Sequence, residues 1–142
     1  MGKIKVKIKK LHPEAKIPLV ATEHAAAFDL YSIEQSTIQP GETKSIGTGI
    51  ALEIPKGFAC YIRDRSSMGF KGIHSFAGLL DSDYRGEYKI VLHNTTKQPF
   101  MIYKHDRIAQ GSIKEYHTPD FEIVEELSET KRGEGGFGST GK

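Results

Sequence analysis

An acidic corner at residues 78–86, with the sequence GLLDSDYRG, carries the residue types in this chain best suited to chemistry. In an extended segment Asp81 and Asp83 fall on the same face, because side chains alternate along a strand. Neighbouring carboxylates can hold a water molecule or a metal ion, and one of them can act as a general base. Aspartate and glycine are also ordinary turn residues, so this segment taken alone favours an acidic hairpin turn over a catalytic site.

A second polar segment, RDRSS at residues 63–67, follows an apolar run and has the donors of an anion site. Arginine offers a planar fork that suits phosphate oxygens, and Ser66 and Ser67 add hydroxyl groups. The backbone N–H groups of a helical turn starting here would add further donors. The same residues fit an N-cap flanked by solvated charges equally well. Both interpretations stay open on these residues alone.

The glycine-rich segment at residues 132–142 (RGEGGFGSTGK) matches parts of two nucleotide-binding motifs. It fits G-x-G-x-x-G and most of a P-loop, but both motifs require a preceding strand and a following helix. A polar, acidic stretch precedes it, so we reject both motifs. The glycines, Ser139 and Thr140 can still present donors to a polyphosphate, and Arg132 adds a charged fork. Phe137 is then expected to stack on a ligand, and the alternative is a disordered tail.

Composition and charge exclude several classes of protein. The chain has 142 residues, 37% hydrophobic and 27% charged, which suits one folded domain with a single core. Its 20 basic and 18 acidic residues leave a charge of +2, too small to indicate nucleic acid as the main partner. Cys60 is the one cysteine, which excludes an intramolecular disulfide, and its apolar neighbours predict a buried side chain.

Membrane association is not predicted either. No apolar run approaches the roughly 20 residues of a membrane span, and no signal-peptide pattern is present. We therefore expect a soluble protein of the cytoplasm, or of the nucleus if the source is eukaryotic or viral.

Short apolar stretches separated by turn residues must position the polar segments. Many short strands of this kind indicate an all-β sandwich or barrel. One helical turn is predicted at residues 66–71, where a serine caps the start and Gly72 ends it. The predicted strands cover residues 3–9, 46–54, 58–63, 87–93, 100–103, 108–113 and 121–124.

The two ends of the chain differ in pattern. Lysine alternates with β-branched residues at residues 3–9, which predicts a half-buried strand with a lysine face in water. Beyond residue 127 the one large apolar residue is Phe137. We therefore predict a β-domain over residues 1–127 and a flexible glycine-rich tail over residues 128–142.

Five segments, taken in their order along the chain, resemble the motifs of the trimeric deoxyuridine triphosphatases, or dUTPases. The resemblance covers nearly the whole chain, and the third motif is nearly diagnostic. The segments are AAFDL at 26–30, RSS at 65–67, GLLDSDYRGE at 78–87, DRIAQ at 106–110 and RGEGGFGSTG at 132–141. The resemblance implies a jelly-roll β-barrel that forms a homotrimer, with active sites shared between subunits and a tail that closes over each site.

The resemblance also implies a Mg²⁺-dependent dUTP diphosphatase that yields dUMP and pyrophosphate. This activity would limit uracil incorporation into DNA and supply dUMP for thymidylate synthesis. Asp81 would be the catalytic base that activates water for attack on the α-phosphorus. Tyr84 would pack on the deoxyribose and exclude a 2′-hydroxyl, and Asp29 would orient waters of a magnesium ion chelated by the triphosphate.

The same resemblance assigns the other substrate contacts. Phe137 would stack over uracil as the tail closes. The remaining substrate-binding residues would be Arg65, Ser66, Ser67 and Gln110 at the phosphates, Ser75, Gly78, Leu79, Leu80 and Lys89 around uracil, and Arg132, Gly138, Ser139 and Thr140 in the tail.

Four positions depart from the family pattern without removing a catalytic group. Ala27 stands where glycine is usual, His105 where glycine is common, Gly111 where a large apolar residue is common, and Ser75 where some relatives have asparagine. Two alternatives remain. A dCTP deaminase-like enzyme would share the fold, but the complete fifth motif argues against it. A non-catalytic nucleotide-binding regulatory protein is disfavoured by the intact catalytic residues.

Overall fold

The chain folds into short antiparallel strands and one helical turn, in a computed structural model that describes residues 2–139 and 141. This architecture confirms the predicted all-β class. Within the described chain the elements are β1 (Lys7–Lys10), β2 (Phe28–Tyr31), β3 (Ser36–Ile38), β4 (Thr43–Gly47), β5 (Ile50–Glu53), β6 (Phe58–Arg63), α1 (Ser66–Phe70), β7 (Ile73–Phe76), β8 (Leu79–Leu80), β9 (Lys89–Asn94), β10 (Phe100–Ile102) and β11 (Arg107–Glu115).

The sheet pairings bring the polar segments to one region of the fold. The largest sheet has the strand order β2-β11-β6-β8, the next has β4-β9-β7, and β1-β5 and β10-β3 form two-stranded sheets. All of these pairs are antiparallel. Because β11 lies between β2 and β6, Gln110 stands opposite Asp29 on one side and Arg63 on the other. β8 pairs with the other edge of β6, and Asp81 follows β8 directly.

Aliphatic side chains fill the core between these sheets. Strand β9 shows the alternation that produces it, since Ile90 and Leu92 are fully buried while Lys89 is exposed. Burying one such side chain stabilises the fold by about 1.5–3 kcal/mol relative to leaving it in water. Asn94 is buried in the same strand, and its amide donates hydrogen bonds to the carbonyls of Ile38 at 3.0 Å and Gln98 at 2.7 Å. Its polar atoms are therefore satisfied inside the core.

The structure confirms some predicted strands and divides another. The predicted strand at 46–54 is two strands, β4 and β5, because Gly49 between them has a φ of +70°, which an extended strand does not adopt. The short strands β2, β3, β7 and β8 were not predicted, since two to four residues carry too little periodicity. The confirmed strands are 58–63, which is β6, and, with shifted ends, 87–93, 100–103 and 108–113, which are β9, β10 and β11.

Of the other two predicted strands, one was confirmed only in part and one was wrong. In the segment at 3–9 only the part from Lys7 onward finds a partner, β5, and all of β1 is exposed, so this strand is not half-buried. Residues 121–124, all within the described chain, form no strand. Phe121 and Ile123 are 87% and 99% exposed. A strand needs a neighbour to satisfy its N–H and C=O groups, and the described chain brings none to this segment.

The helical turn predicted at 66–71 is α1, but its cap differs from the prediction. The N-cap residue is Arg65, with no side-chain cap hydrogen bond, and Ser66 is already the first helical residue. Gly72, with a φ of +79°, follows the turn as predicted. Cys60 is fully buried, as predicted, and burial raises the pKa of its thiol to about 12.

Beyond the last strand the described chain is irregular up to residue 139 and at residue 141. No helix or strand follows Glu115 in the part of the chain that the structure describes. The boundary between a domain and a tail after residue 127 stays a prediction. Among residues 2–139 and 141 no helix is long and apolar enough to span a lipid bilayer.

Candidate active site

Asp29, on the edge strand β2 of the largest sheet, joins two arginines. Its carboxylate accepts a hydrogen bond from Arg65 Nε at 3.1 Å and another from Arg107 Nη1 at 3.4 Å. The Asp29 side chain is 17% exposed, so these contacts are partly shielded from solvent. Arg65 Nη1 also donates to the Arg107 carbonyl at 3.2 Å and to Ser67 Oγ at 3.4 Å. The Arg65 guanidinium is therefore held in place from several directions, which favours recognition of an anion.

Gln110 and the serines of α1 surround this arginine. Gln110 Nε2 donates to the Asp64 carbonyl at 2.8 Å and so ties β11 to the backbone just before Arg65. Ser66 and Ser67 are exposed on the first turn of α1. The four residues predicted at the phosphates, including Arg65, are thus brought together by the fold.

Asp64 is a hydrogen-bonding centre that sequence reasoning left without a role. Its Oδ1 accepts from the Ser75 amide at 2.6 Å and from Ser75 Oγ at 2.7 Å. Its Oδ2 lies 2.9 Å from His74 Nδ1. Burial alone would raise the pKa of the Asp64 carboxyl, but the hydrogen bonds from Ser75 and His74 outweigh it and hold that pKa below its ordinary value. Asp64 is therefore ionised at neutral pH.

A cavity of about 370 Å³ opens beside Asp64, and its lining includes Ser75, Gly78, Leu79 and Tyr61. Its wall depends on a close backbone approach, because the Ile62 amide donates to the Gly78 carbonyl at 2.6 Å. A Cβ on Gly78 would lie 2.6 Å from the Ile62 carbonyl oxygen, so only glycine fits there. This cavity is the place where the structure puts the predicted base-binding residues Ser75, Gly78 and Leu79.

The acidic corner lines an adjoining cavity of about 600 Å³, which shares Tyr61 and Leu79 with the first. Asp81 is exposed at its wall, directly after β8, and Asp83 lines the same cavity. Leu80 lies on β8 opposite Cys60. The Asp81 carboxylate is therefore accessible both to a molecule bound in the 600 Å³ cavity and to water.

Tyr84 is held over the turn that follows Asp81. Its hydroxyl donates to the Glu87 carbonyl at 2.9 Å, and its ring is 40% exposed. Gly86 allows this position, because a Cβ there would lie 2.5 Å from Tyr84 Oη. Lys89 begins β9 a few residues later, where it is exposed opposite Gly47. The turn therefore leaves the Tyr84 ring partly exposed three residues after Asp81, although this ring lines neither of the two cavities.

The tail residues that the structure describes line neither of these two cavities. Arg132 Nε donates to the Gly135 carbonyl at 2.7 Å, and Ser139 Oγ accepts from the Gly136 amide at 2.8 Å. Phe137 is fully exposed, and Gly138 follows it with a φ of +83°. Thr140, also predicted to bind substrate, lies outside the described residues.

Two departures from the family pattern have a structural explanation. His105 has a φ of +69°, a conformation that favours glycine, and its Nε2 lies 2.8 Å from the Glu14 carbonyl oxygen, which offsets part of the strain. At Gly111, a Cβ would lie 2.7 Å from the Phe28 ring, so Phe28 occupies the space of a larger side chain. Neither change reaches the acidic corner.

Sequence reasoning missed Asp64, His74 and Arg107. The charge alternation in RDR at 63–65 was the available signal for Asp64. For Arg107 the available signal was its place in the DRIAQ segment at 106–110, although its contact with Asp29 spans 78 positions. His74 had no comparable signal.

Comparison with known proteins places the chain in a family. A family model described as dUTPase matches residues 13–141. The chain is 51% identical over 142 residues to the deoxyuridine 5′-triphosphate nucleotidohydrolase of Nautilia profundicola, an alignment that covers 98% of this chain and 100% of that protein. The corresponding protein of Paramecium bursaria Chlorella virus 1 is 44% identical over 135 residues, covering 94% of this chain and 96% of that protein.

Solved structures agree with this result. The dUTPase of Staphylococcus bacteriophage 80alpha with dUPNHPP superposes with a TM-score of 0.91 at 28% identity, covering 97% of this chain and 99% of that one. This similarity confirms the predicted dUTPase-type jelly-roll fold. Because the motif order, the family model and the fold all agree over nearly its whole length, the chain belongs to the dUTPase family of nucleotide hydrolases.

Proposed function

We propose that the chain is a Mg²⁺-dependent dUTP diphosphatase that hydrolyses dUTP to dUMP and pyrophosphate. The observation that carries the proposal is the position of Asp81, exposed in the wall of the 600 Å³ cavity, which adjoins the 370 Å³ cavity at Tyr61 and Leu79. The names of the relatives, deoxyuridine 5′-triphosphate nucleotidohydrolases, support the substrate.

Asp81 would act as the general base. Its carboxylate accepts a proton from a water molecule, and the water oxygen forms a bond to the α-phosphorus. The bond from that phosphorus to the oxygen bridging to the β-phosphate breaks, and pyrophosphate leaves with the electron pair. A positioned general base typically contributes about 10²–10⁴-fold to the rate.

Two parts of the chain that flank Asp81 would recognise the base and the sugar. The backbone of Gly78, Leu79 and Leu80 would read uracil in the smaller cavity, with Ser75 on its wall and Lys89 at the start of β9. Tyr84 would pack against the deoxyribose. A ring at that position leaves no room for a 2′-hydroxyl, so the enzyme would prefer dUTP to UTP.

The triphosphate would lie toward Arg65. The Arg65 guanidinium is already oriented by Asp29, Ser67 and the Arg107 carbonyl, so the arginine loses little side-chain freedom when it binds phosphate oxygens. Ser66, Ser67 and Gln110 would add neutral donors. Phosphoryl transfer depends mainly on such positioning and charge neutralisation.

The tail would complete the site when it closes. Arg132, Gly138, Ser139 and Thr140 would hold the terminal phosphate, and Phe137 would stack over uracil. The exposure of Phe137 in the described chain supports this role, since a fully exposed aromatic ring is available to a ligand. Closure would exclude bulk water from the reaction.

Asp29 fits an indirect role toward Mg²⁺. Its oxygens already accept from two arginines, which leaves lone pairs for a metal-bound water. Among the described residues no three His, Cys, Asp or Glu side chains gather as a metal cage. Mg²⁺ commonly keeps several waters and binds substrate phosphates, so the triphosphate would supply its direct ligands. The ion would neutralise charge that develops on the phosphate oxygens.

We also propose a homotrimer whose sites are shared between subunits. The exposed apolar side chains of the segment after β11 support association, since Phe121, Ile123 and Leu127 are at least 87% exposed. The tail's hydrogen bonds within the described chain are local, which leaves its donors available to another subunit. Sedimentation analysis would measure the assembly state directly.

In the cell, this activity would limit uracil incorporation into DNA and supply dUMP for thymidylate synthesis. A cytoplasmic location, or a nuclear one in a eukaryotic or virus-infected cell, stays a prediction.

Incubation with dUTP and Mg²⁺ tests the proposed function. We expect equal amounts of dUMP and pyrophosphate, with much slower turnover of UTP and dCTP. Release of ammonia from dCTP would identify a deaminase-like enzyme instead. Tight dUTP binding without product would identify a regulatory protein, and either outcome would contradict the proposal. The Asp81→Asn variant serves as the matched control, because it keeps the size of the side chain.

A further inference from the structure

The carboxylate of Asp64 divides its two oxygens between different partners. Oδ1 accepts both the amide and the hydroxyl of Ser75, at 2.6 and 2.7 Å, and Oδ2 faces His74 Nδ1 at 2.9 Å. Ser75 and Asp64 both line the 370 Å³ cavity that adjoins the acidic corner. Two residues that act as a unit therefore form part of the polar wall of this cavity, which Arg63 and Tyr61 also line.

The charge of Asp64 determines what Ser75 can offer a ligand. An ionised carboxylate has no proton to donate, and the depressed pKa of Asp64 keeps it ionised at neutral pH. The proton of the Ser75 hydroxyl must then point to Asp64 Oδ1. A hydroxyl has one proton and two lone pairs, so only lone pairs remain for the cavity. Toward the cavity, the Ser75 hydroxyl is consequently a hydrogen-bond acceptor and not a donor.

We propose that Asp64 is a positioning residue that makes the Ser75 hydroxyl an obligate acceptor for a ring N–H of the base. The proposal rests on the proposed function, since it concerns the base of the same nucleotide. Uracil carries a ring N–H between its two carbonyls, where cytosine carries a lone pair. An acceptor at this position attracts the first base and repels the second. Asp64 thereby contributes to discrimination between dUTP and dCTP through the orientation of the Ser75 hydroxyl.

The experiment measures kcat/KM for dUTP and dCTP in four variants. Asp64→Ala releases the Ser75 hydroxyl to donate, so the dUTP-over-dCTP ratio should fall by about 3- to 10-fold, the range for one hydrogen bond. Ser75→Ala should lower the same ratio. In the double variant the two effects should not add, because Asp64 acts through Ser75. His74→Ala is the matched control, since it removes only the partner of Oδ2, and it should leave the ratio unchanged.

A conservative variant separates this role from simple support of the fold. Asp64→Asn retains an oxygen that accepts from Ser75 and should keep most of the selectivity. A ratio in Asp64→Ala within about twofold of wild type, or an additive effect in the double variant, would overturn the proposal. If circular dichroism shows that Asp64→Ala does not fold, the Ser75→Ala variant is the deciding test. An unchanged dUTP-over-dCTP ratio in Ser75→Ala would then overturn the proposal.

Binding measurements keep this result separate from the failure of the proposed function. If the wild-type chain does not hydrolyse dUTP, calorimetry with dUMP and dCMP still reports base preference. A wild-type preference for dUMP that Ser75→Ala reduces by about 3- to 10-fold would support the positioning role even then. Equal binding of dUMP and dCMP by the wild-type chain would overturn it.

Discussion

The contact between Gly86 and Tyr84 offers a test of sugar discrimination that moves the ring without removing it. A Cβ on Gly86 would lie 2.5 Å from Tyr84 Oη and 2.7 Å from Cζ. Carbon atoms in contact lie about 3.5–4.0 Å apart, so Gly86→Ala must displace the ring by about 0.8 Å or more. Gly86 has no positive φ, so the backbone itself accepts alanine.

Two consequences follow from this displacement. The hydrogen bond from Tyr84 Oη to the Glu87 carbonyl is lost, which should lower the free energy of unfolding by about 0.5–1.5 kcal/mol. A displacement near 1 Å can cost about 10²-fold in rate when it misplaces a bound substrate. We therefore expect kcat/KM for dUTP to fall by about 10- to 100-fold, and the fall for UTP to be smaller because space opens for its 2′-hydroxyl.

The assay compares kcat/KM for dUTP and UTP in three variants at one protein concentration. Tyr84→Phe loses the same hydrogen bond but keeps the ring, so it should be destabilised like Gly86→Ala and still prefer dUTP. Tyr84→Ala removes the ring and should lose the preference. If Gly86→Ala is destabilised as expected but keeps the wild-type dUTP-to-UTP ratio, the ring position does not determine sugar discrimination and the reasoning is refuted.

Three further predictions concern catalysis, the tail and acid stability. Asp81→Asn should bind dUTP normally but lose about 10²–10⁴-fold in kcat, because an amide does not accept the proton of the water; near-normal turnover would move the base role to Asp83. Deleting the residues after 130 should leave folding and assembly intact but greatly reduce kcat. Trypsin should cut after Lys131 and Arg132 quickly in the free protein and slowly in the presence of a non-hydrolysable dUTP analogue. Equal cleavage rates in the two conditions would exclude closure of the tail. Because the pKa of Asp64 is depressed in the folded state, its carboxylate stabilises the fold at pH values above its ordinary pKa, and this contribution is lost as the pH falls through the folded-state pKa. The free energy of unfolding, measured by denaturation at a series of pH values, should therefore fall less on acidification in Asp64→Asn than in the wild type. The same pH dependence in both proteins would contradict this prediction.

Local pattern predicted the elements whose formation depends on consecutive residues. Strand β6 has the predicted bounds, Phe58–Arg63, because five consecutive apolar residues precede Arg63 between turn signals. Gly72 ended the helical turn as expected, since its positive φ is a local property. In contrast, the apolar pattern at 121–124 was read as a strand although no partner reaches it within the described chain. The apolar pattern of a segment indicates which face could be buried, but a strand forms only where another segment of the fold pairs with it.

By itself, the sequence determined the family and the identity of the catalytic candidates, because the motif order around Asp81 and Tyr84 needs no coordinates to be read. The tertiary structure decided how the groups act on one another. Asp29 meets Arg107 across 78 positions of sequence and Gln110 reaches Asp64 across 46, through antiparallel pairings that no local window contains. The orientation of the Ser75 hydroxyl likewise depends on Asp64, which is fixed only when β7 packs beside the end of β6. Hydrogen bonds act over about 3 Å, so their chemistry exists only after the fold has brought distant residues together.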